Sequence, residues 1–178
     1  KHDHYLAAYG GLTCLKIDRD GSVGVSPLRI SNHATEELRR SMLLFYTHIK
    51  RESFDILSRQ HLETQTGDKR VIDSLHEIKR LGHEIKKALE LDDLETFGRL
   101  LDQHWQTKKL RSGNISNPDI DRWYDIGRQA GALGGKILGA GGGGFLMFFC
   151  ATPYRQELSR AMAAEGLRKM DFEFDTET

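Results

Sequence analysis

The chain has 178 residues, 38% hydrophobic and 29% charged, with 26 basic and 26 acidic side chains and a formal net charge of zero. That length suits one globular domain with an attached lobe and can bury a sizeable core. Balanced charge argues against nucleic acid or anionic membrane as a partner, and no apolar stretch approaches the ~20 residues of a spanning helix.

Residues 5–11 (Y-L-A-A-Y-G-G) predict a helical turn closed by Gly10 and Gly11, where glycine accepts a left-handed φ. L-T-C-L-K-I and V-G-V-S-P-L-R-I flank D-R-D-G, a hairpin signal with Gly21 in the turn. Arg29 to Glu37 is the nearest approach to a domain boundary. Ser41 to Ile49 is strongly apolar and predicts a central strand; Lys50 to Gln60 predicts a short helix with Phe54 and Leu57 inward. Val71, Leu75, Ile78, Gly82, Ile85 and Leu89 alternate in steps of four and three, an apolar helical stripe. His76 and His83 on this helix read as ordinary solvated or packed histidines. The stripe restarts after an acidic cap in D-D-L-E with Leu94, Phe97, Leu101 and Trp105, so a helical hairpin or bent helix pair covers 69–111.

Further on, Asn117 reads as a cap, Pro118 as the first helical position, and Asp119 and Asp121 as charges suited to the positive end of the dipole. That helix carries Ile120, Trp123, Tyr124 and Ala130 and is expected to stop at Gly134–Gly135. A strand over 145–151, a capped helix from Thr152-Pro153 to about Glu165, and a strand over 170–175 complete the pattern. The expected class is α+β: a two-layer α/β sandwich with a split β-α-β, ferredoxin-like core and an inserted helical hairpin. Cys14 and Cys150 lie far apart in strand-like stretches and read as buried thiols of a cytoplasmic protein. The first residues do not read as a signal peptide, and both ends look cut, so a fragment of a longer protein is expected.

The stretch K-I-L-G-A-G-G-G-G-F-L-M-F-F-C, Lys136 to Cys150, places five glycines and one alanine in six consecutive positions beside an apolar strand. Each glycine costs roughly 0.5–1 kcal/mol against alanine in an ordered segment, so the run needs a physical return. Positive φ angles, close backbone approach and N–H groups aimed at an anion are the candidates. A tight packing connection would need only one or two glycines. The run is not a Walker-type loop, since Phe145 and Leu146 follow it rather than Lys-Ser/Thr; nor does it follow a strand and open a helix as a dinucleotide fingerprint does. Lys136 stands before the glycines.

K-I-L-G-A-G-G-G-G-F-L resembles the third motif of the GHMP kinases. K-H-D-H-Y-L-A-A-Y-G-G is similar to the segment G-K-Q-D-Q-Y-A-A-A-F-G-G of that family's sugar-kinase branch. H-W-Q-T-K-K-L-R-S-G-N-I-S-N-P-D-I-D resembles the stretch before motif three in D-glycero-D-manno-heptose 7-phosphate kinases. The likeness runs over nearly the whole chain, in the expected order. It implies residues 1–35 as the end of the N-terminal kinase domain and residues 36–178 as the C-terminal domain. The family's nucleotide-phosphate loop, P-x-x-x-G-L-G-S-S-A, is absent from these 178 residues, so the fragment alone is expected to be inactive.

By the same resemblance, Asp3 is the catalytic carboxylate, with His2 and His4 standing where the family has glutamines. Without it, an Asp between two His is most simply surface sequence, and adjacent residues rarely converge on one metal ion. The resemblance also implies that Gly139, Ala140, Gly141, Gly142, Gly143 and Gly144 shape the nucleotide and substrate site. Lys108, Lys109 and Arg111 read either as a solvated helix end or as a grip on a sugar phosphate. Ser116 and Asn117 read as a helix cap that can also face an anionic substrate group. The implied activity is ATP- and Mg²⁺-dependent transfer to the anomeric hydroxyl of D-glycero-D-manno-heptose 7-phosphate. An L-fucokinase-like or other GHMP kinase and a non-catalytic sugar- or nucleotide-binding relative are the alternatives. No protein-held metal, nucleic acid or membrane is implied, and a homodimer is left open.

Overall fold

The computed structural model describes residues 2–49, 68–111 and 115–174, without the side chains of residues 2, 3, 6, 7 and 111. The short helix expected over Lys50 to Gln60 lies outside the described residues. Helix α1 (His2–Tyr9) ends at Gly10 and Gly11, both with left-handed φ. Strands β1 (Thr13–Ile17) and β2 (Val23–Pro27) form the expected hairpin, turned at Gly21 with φ 85°.

A helix not expected from sequence follows. Helix α2 (Asn32–Ser41) is capped by the Ser31 side chain, which accepts from the Ala34 N–H, and buries Ala34 and Leu38. Only two apolar positions mark it, Ala34 and Leu38, spaced four apart among polar and charged residues, so its periodicity is too sparse to read. It feeds directly into β3 (Met42–Tyr46), which sits inside a four-stranded antiparallel sheet of order β4-β5-β3-β6.

Helices α3 (Lys69–Glu90) and α4 (Leu94–Arg111) form the helical hairpin. The buried row of α3 is Val71, Ser74, Leu81 and Ala88, with Leu89 at the end, and Gly82 faces water. The stripe is thus turned by one residue from the expected one: Gly82 has no side chain to bury, and Leu81 packs in its stead. Asp93 caps α4 through the Thr96 N–H, as the acidic turn predicts.

Helix α5 (Pro118–Gln129) begins on the Asn117 cap and ends at Ala130 and Gly131, the latter with φ 97°. The helix therefore stops earlier than Gly134–Gly135, and those glycines lie inside a strand, β4 (Ala132–Ile137). The reason is tertiary. A Cβ on Gly134 would lie 2.1 Å from the Gly98 carbonyl oxygen of α4, and one on Gly135 would lie 2.4 Å from the Met147 carbonyl oxygen. Only glycine lets this edge strand carry a helix so closely.

Strand β5 (Phe145–Cys150), a 3₁₀ turn at Thr152–Tyr154, helix α6 (Arg155–Ala164) and strand β6 (Arg168–Met170) complete the fold. The last strand begins before the expected 170–175 alternation, because Gly166, at φ 79°, turns the chain straight into pairing with β3. The units β3–α5–β4 and β5–α6–β6 interleave in one sheet, the split β-α-β arrangement expected of this α+β chain.

Alternate strand residues point to opposite faces. Leu43, Phe45, Leu146 and Phe148 join Ile120, Tyr124, Leu158 and Met162 in one core. Phe149 joins Ala34, Leu38, Leu81, Phe97 and Leu101 in the other. Helix α4 serves both, since its Trp105 is fully buried in the first. Both cysteines are free thiols, Cys150 buried and Cys14 half-buried. Among the described residues no helix is long and apolar enough to cross a membrane.

Candidate functional site

The glycine run forms the connection between antiparallel neighbours β4 and β5, closed at its mouth by the Leu138 N–H donating to the Phe145 carbonyl at 2.9 Å. Gly139, Gly141, Gly142 and Gly144 have φ of 72°, 108°, 74° and 87°, a region that strains any residue with a Cβ. Two positions have a second constraint. A Cβ on Gly141 would sit 2.9 Å from the Ile115 carbonyl oxygen, and one on Gly143 would sit 2.7 Å from that of Ile49.

The loop is fastened at the same two places. Gly142 N–H donates to the Ile115 carbonyl at 2.8 Å and Gly144 N–H to the Ile49 carbonyl at 3.3 Å, while the Gly144 carbonyl accepts from the Thr47 N–H and hydroxyl. Close approach to the chain's own backbone therefore accounts for part of the glycine content. It draws the exit of β3 and the α4–α5 connection onto one loop. Tyr46, His48 and Phe145 gather beside it, with Tyr46 ring centroids 4.7 Å from His48 and 5.4 Å from Phe145.

The C-terminal half of α4 supplies the charge. Lys108 donates to the Gly139 carbonyl at 2.7 Å and so reaches the loop itself. Lys109 turns to α5, 3.0 Å from Asp121, whose same oxygen accepts from the Ser116 hydroxyl at 2.9 Å. The Asn117 side chain accepts from the Ile120 N–H at 3.0 Å, capping α5. The two lysines thus serve different partners, one on the glycine loop and one on the start of α5. Ala140 is half-buried in the loop. Asp3 lies in α1, and its side chain is outside the described residues.

Two residues that the sequence pattern does not mark as a site belong here. His104 is one helical turn before Lys108, and its Nδ1 is buried without a hydrogen-bond partner. Burial, then the nearby Lys136 and Lys108 ammonium groups, hold its pKa down at about 4. Lys136, at the end of β4, is itself pushed below the ordinary lysine range by burial. The spacing H-x-x-x-K on one face of α4 is the available signal for His104; its meeting with Lys136 depends on how α4 lies on β4. Two residues before His104 on α4, Asp102 accepts from the Tyr124 hydroxyl at 2.6 Å, and burial together with that carboxylate raises the phenol well above its usual pKa.

Residues 85–168 match the family model described as GHMP kinases C terminal. A curated relative, the D-glycero-alpha-D-manno-heptose 7-phosphate kinase of Campylobacter jejuni, is 34% identical over 175 residues, 98% of this chain and 51% of the relative. The chain belongs to the GHMP kinase superfamily. The solved structure of a D-glycero-D-manno-heptose 1-phosphate kinase from Bacteroides thetaiotaomicron aligns with this GHMP chain at a TM-score of 0.68. It shares 29% identity, and the alignment covers 98% of this chain and 45% of that one. The L-fucokinase/L-fucose-1-P guanylyltransferase of Bacteroides fragilis is 27% identical over 130 residues, 73% of this chain but 14% of that protein. This GHMP chain spans about half the length of the Campylobacter relative.

Proposed function

We propose that the complete protein is an ATP- and Mg²⁺-dependent kinase acting on the anomeric hydroxyl of D-glycero-D-manno-heptose 7-phosphate. The observation that carries this reading is the identity to the Campylobacter heptose 7-phosphate kinase, which extends over nearly all of this chain. In this proposal α1 and the β1–β2 hairpin close the N-terminal kinase domain, and residues 36–178 form the C-terminal domain. Phosphoryl transfer demands positioning and charge stabilisation more than covalent chemistry. Asp3 would accept or orient the proton of the attacking hydroxyl, and the loop from Gly139 to Gly144 would wall the site around the transferring group. Lys108 and Lys109 would meet the sugar phosphate together with Ser116 and Asn117. For Lys109 and Ser116 this means sharing or exchanging their present partner, Asp121.

The test is sugar-dependent ADP release by the complete protein with heptose 7-phosphate, the unphosphorylated heptose and L-fucose side by side. Turnover with heptose 7-phosphate at a kcat/KM at least tenfold above the others is expected, with the new phosphate on the anomeric carbon by phosphorus NMR. Preference for L-fucose would move the assignment to the second reading, which the Bacteroides fragilis similarity favours. No turnover with any of the three would overturn both.

A further inference from the structure

The end of the sheet away from the glycine loop holds a cavity that the kinase reading does not use. Met42 opens β3 and Tyr46 closes it opposite Phe145, so the two ends of that strand stand roughly 13 Å apart. The start of β3, the end of β6 and Arg155, the first residue of α6, line a cavity of about 430 Å³. That volume falls within the range of small-molecule sites. Met42, Met170 and Phe172 give it apolar surface, and Arg39, Arg155 and Lys169 give it cationic side chains. Asp171 and Glu173 also line it, but both are exposed, and the Asp171 side chain stands fully in water. The three cations are not equivalent. Arg39 gives its Nε and Nη2 to Glu36, and Lys169 lies 3.9 Å from Asp171. The Arg155 guanidinium has neither a hydrogen bond nor an ion pair among the described residues, and its Nε is buried. An ionisable neighbour that feels its charge, the Cys150 thiol, is pushed up to about 11 by burial and stays neutral. A buried guanidinium nitrogen without an acceptor is costly, and an oxyanion supplies the missing partner.

We infer that this cavity is a second binding site, for an organic carboxylate whose head meets Arg155 and whose apolar body lies along Met42, Met170 and Phe172. The planar guanidinium presents forked N–H donors that match the two oxygens of a carboxylate. Arg39 retains its Nη1 for a further contact, since its pairing with Glu36 uses the other two nitrogens. Three cations against two carboxylates leave one net positive charge on the lining, which a monoanion balances and a polyphosphate does not. The unbranched methionine side chains adapt to the shape of the body they cover. The site stands on this cavity and its charges, independently of the kinase reading.

The probe is benzoate, titrated into the complete protein with isotope-labelled methionine methyl groups and followed by NMR. Benzoate should move the Met42 and Met170 signals and leave those of Met147 and Met162 in place. Benzyl alcohol, which has the same body without the charge, should bind about tenfold more weakly. Arg155→Gln should weaken benzoate about 10- to 100-fold. Lys169→Gln, at a side chain 44% exposed, should weaken it by only about two- to fivefold. Saturating ATP and heptose 7-phosphate should leave the benzoate affinity unchanged, because the two ends of β3 are separate. Still Met42 and Met170 signals, or signals that move equally in Arg155→Gln, would overturn the site. Competition with the kinase substrates would overturn its separateness, and phenyl phosphate binding there more tightly than benzoate would overturn the carboxylate assignment. Should Arg155→Gln fail to fold, the Lys169→Gln variant and the benzoate–alcohol difference decide in its place, with equal affinities sinking the proposal. Absence of heptose kinase activity would sink the proposed function while leaving the benzoate result standing.

Discussion

The same substitution, glycine to alanine, should have opposite signs at two positions of this fold. At Gly134 the added Cβ would lie 2.1 Å from the Gly98 carbonyl oxygen and 2.7 Å from the Asp102 nitrogen. Both obstacles are helix backbone, so no rotamer change relieves them. Helix α4 must retreat from β4 by about 1 Å, and a gap of that size already forfeits a quarter to a half of each affected contact. We expect a loss of about 3 kcal/mol, in the upper part of the usual range for overpacking, and a fall in thermal midpoint of roughly 6–12 °C. At Gly82, exposed within α3, an added Cβ meets nothing within 4 Å. There alanine should stabilise the helix by about 0.5–1 kcal/mol. Urea denaturation of the two variants and the wild type, with midpoints compared at unchanged slope, reads both effects. A Gly134→Ala protein within about 0.5 kcal/mol of wild type would refute the close seating of α4 on β4, and with it the meeting of His104 and Lys136.

Asp3→Asn in the complete protein should reduce kcat by roughly 10²–10⁴ with little change in substrate KM, measured by steady-state ADP release; a wild-type kcat would remove Asp3 from the mechanism. Gly142→Val, at φ 74°, should cut turnover severely while changing stability modestly, and near-normal turnover would return the loop to a packing connection. His104, held at about 4 against its ordinary 6.5, leaves the unfolded chain binding the extra proton first. Its contribution to stability is therefore present above pH 6.5 and lost as pH falls from about 6.5 to about 4. A fully shielded ring would contribute about 3 kcal/mol over that window, and partial contact with water brings the expected figure to about 1–2 kcal/mol. His104→Gln should flatten that limb in urea midpoints taken at several pH values; an unchanged pH dependence would show that His104 titrates normally.

Much of this chain is legible from local chemistry alone. Asn117-Pro118 and Asp93 announce helix starts because a side-chain oxygen must satisfy orphan N–H groups wherever those starts occur. D-R-D-G announces a hairpin, and the dense glycine run announces backbone geometry that other residues resist. These signals act over a few residues and do not depend on what lies across the core. Tertiary contact decided the rest. Gly134 and Gly135 read as a helix stop, yet they belong to a strand because α4 and β5 press on them from either side. The inward row of α3 was chosen by its packing partners, since the sequence supports two rows one residue apart and only one buries Leu81. Lys108 and Lys109 are neighbours in sequence but part in space, one to the Gly139 carbonyl and the other to Asp121. His104 and Lys136 lie far apart along the chain and acquire their shared electrostatics only when α4 lies along β4. Charge and desolvation act through space, whereas caps and turns act along the chain, and that difference divides what the sequence determined from what the fold decided.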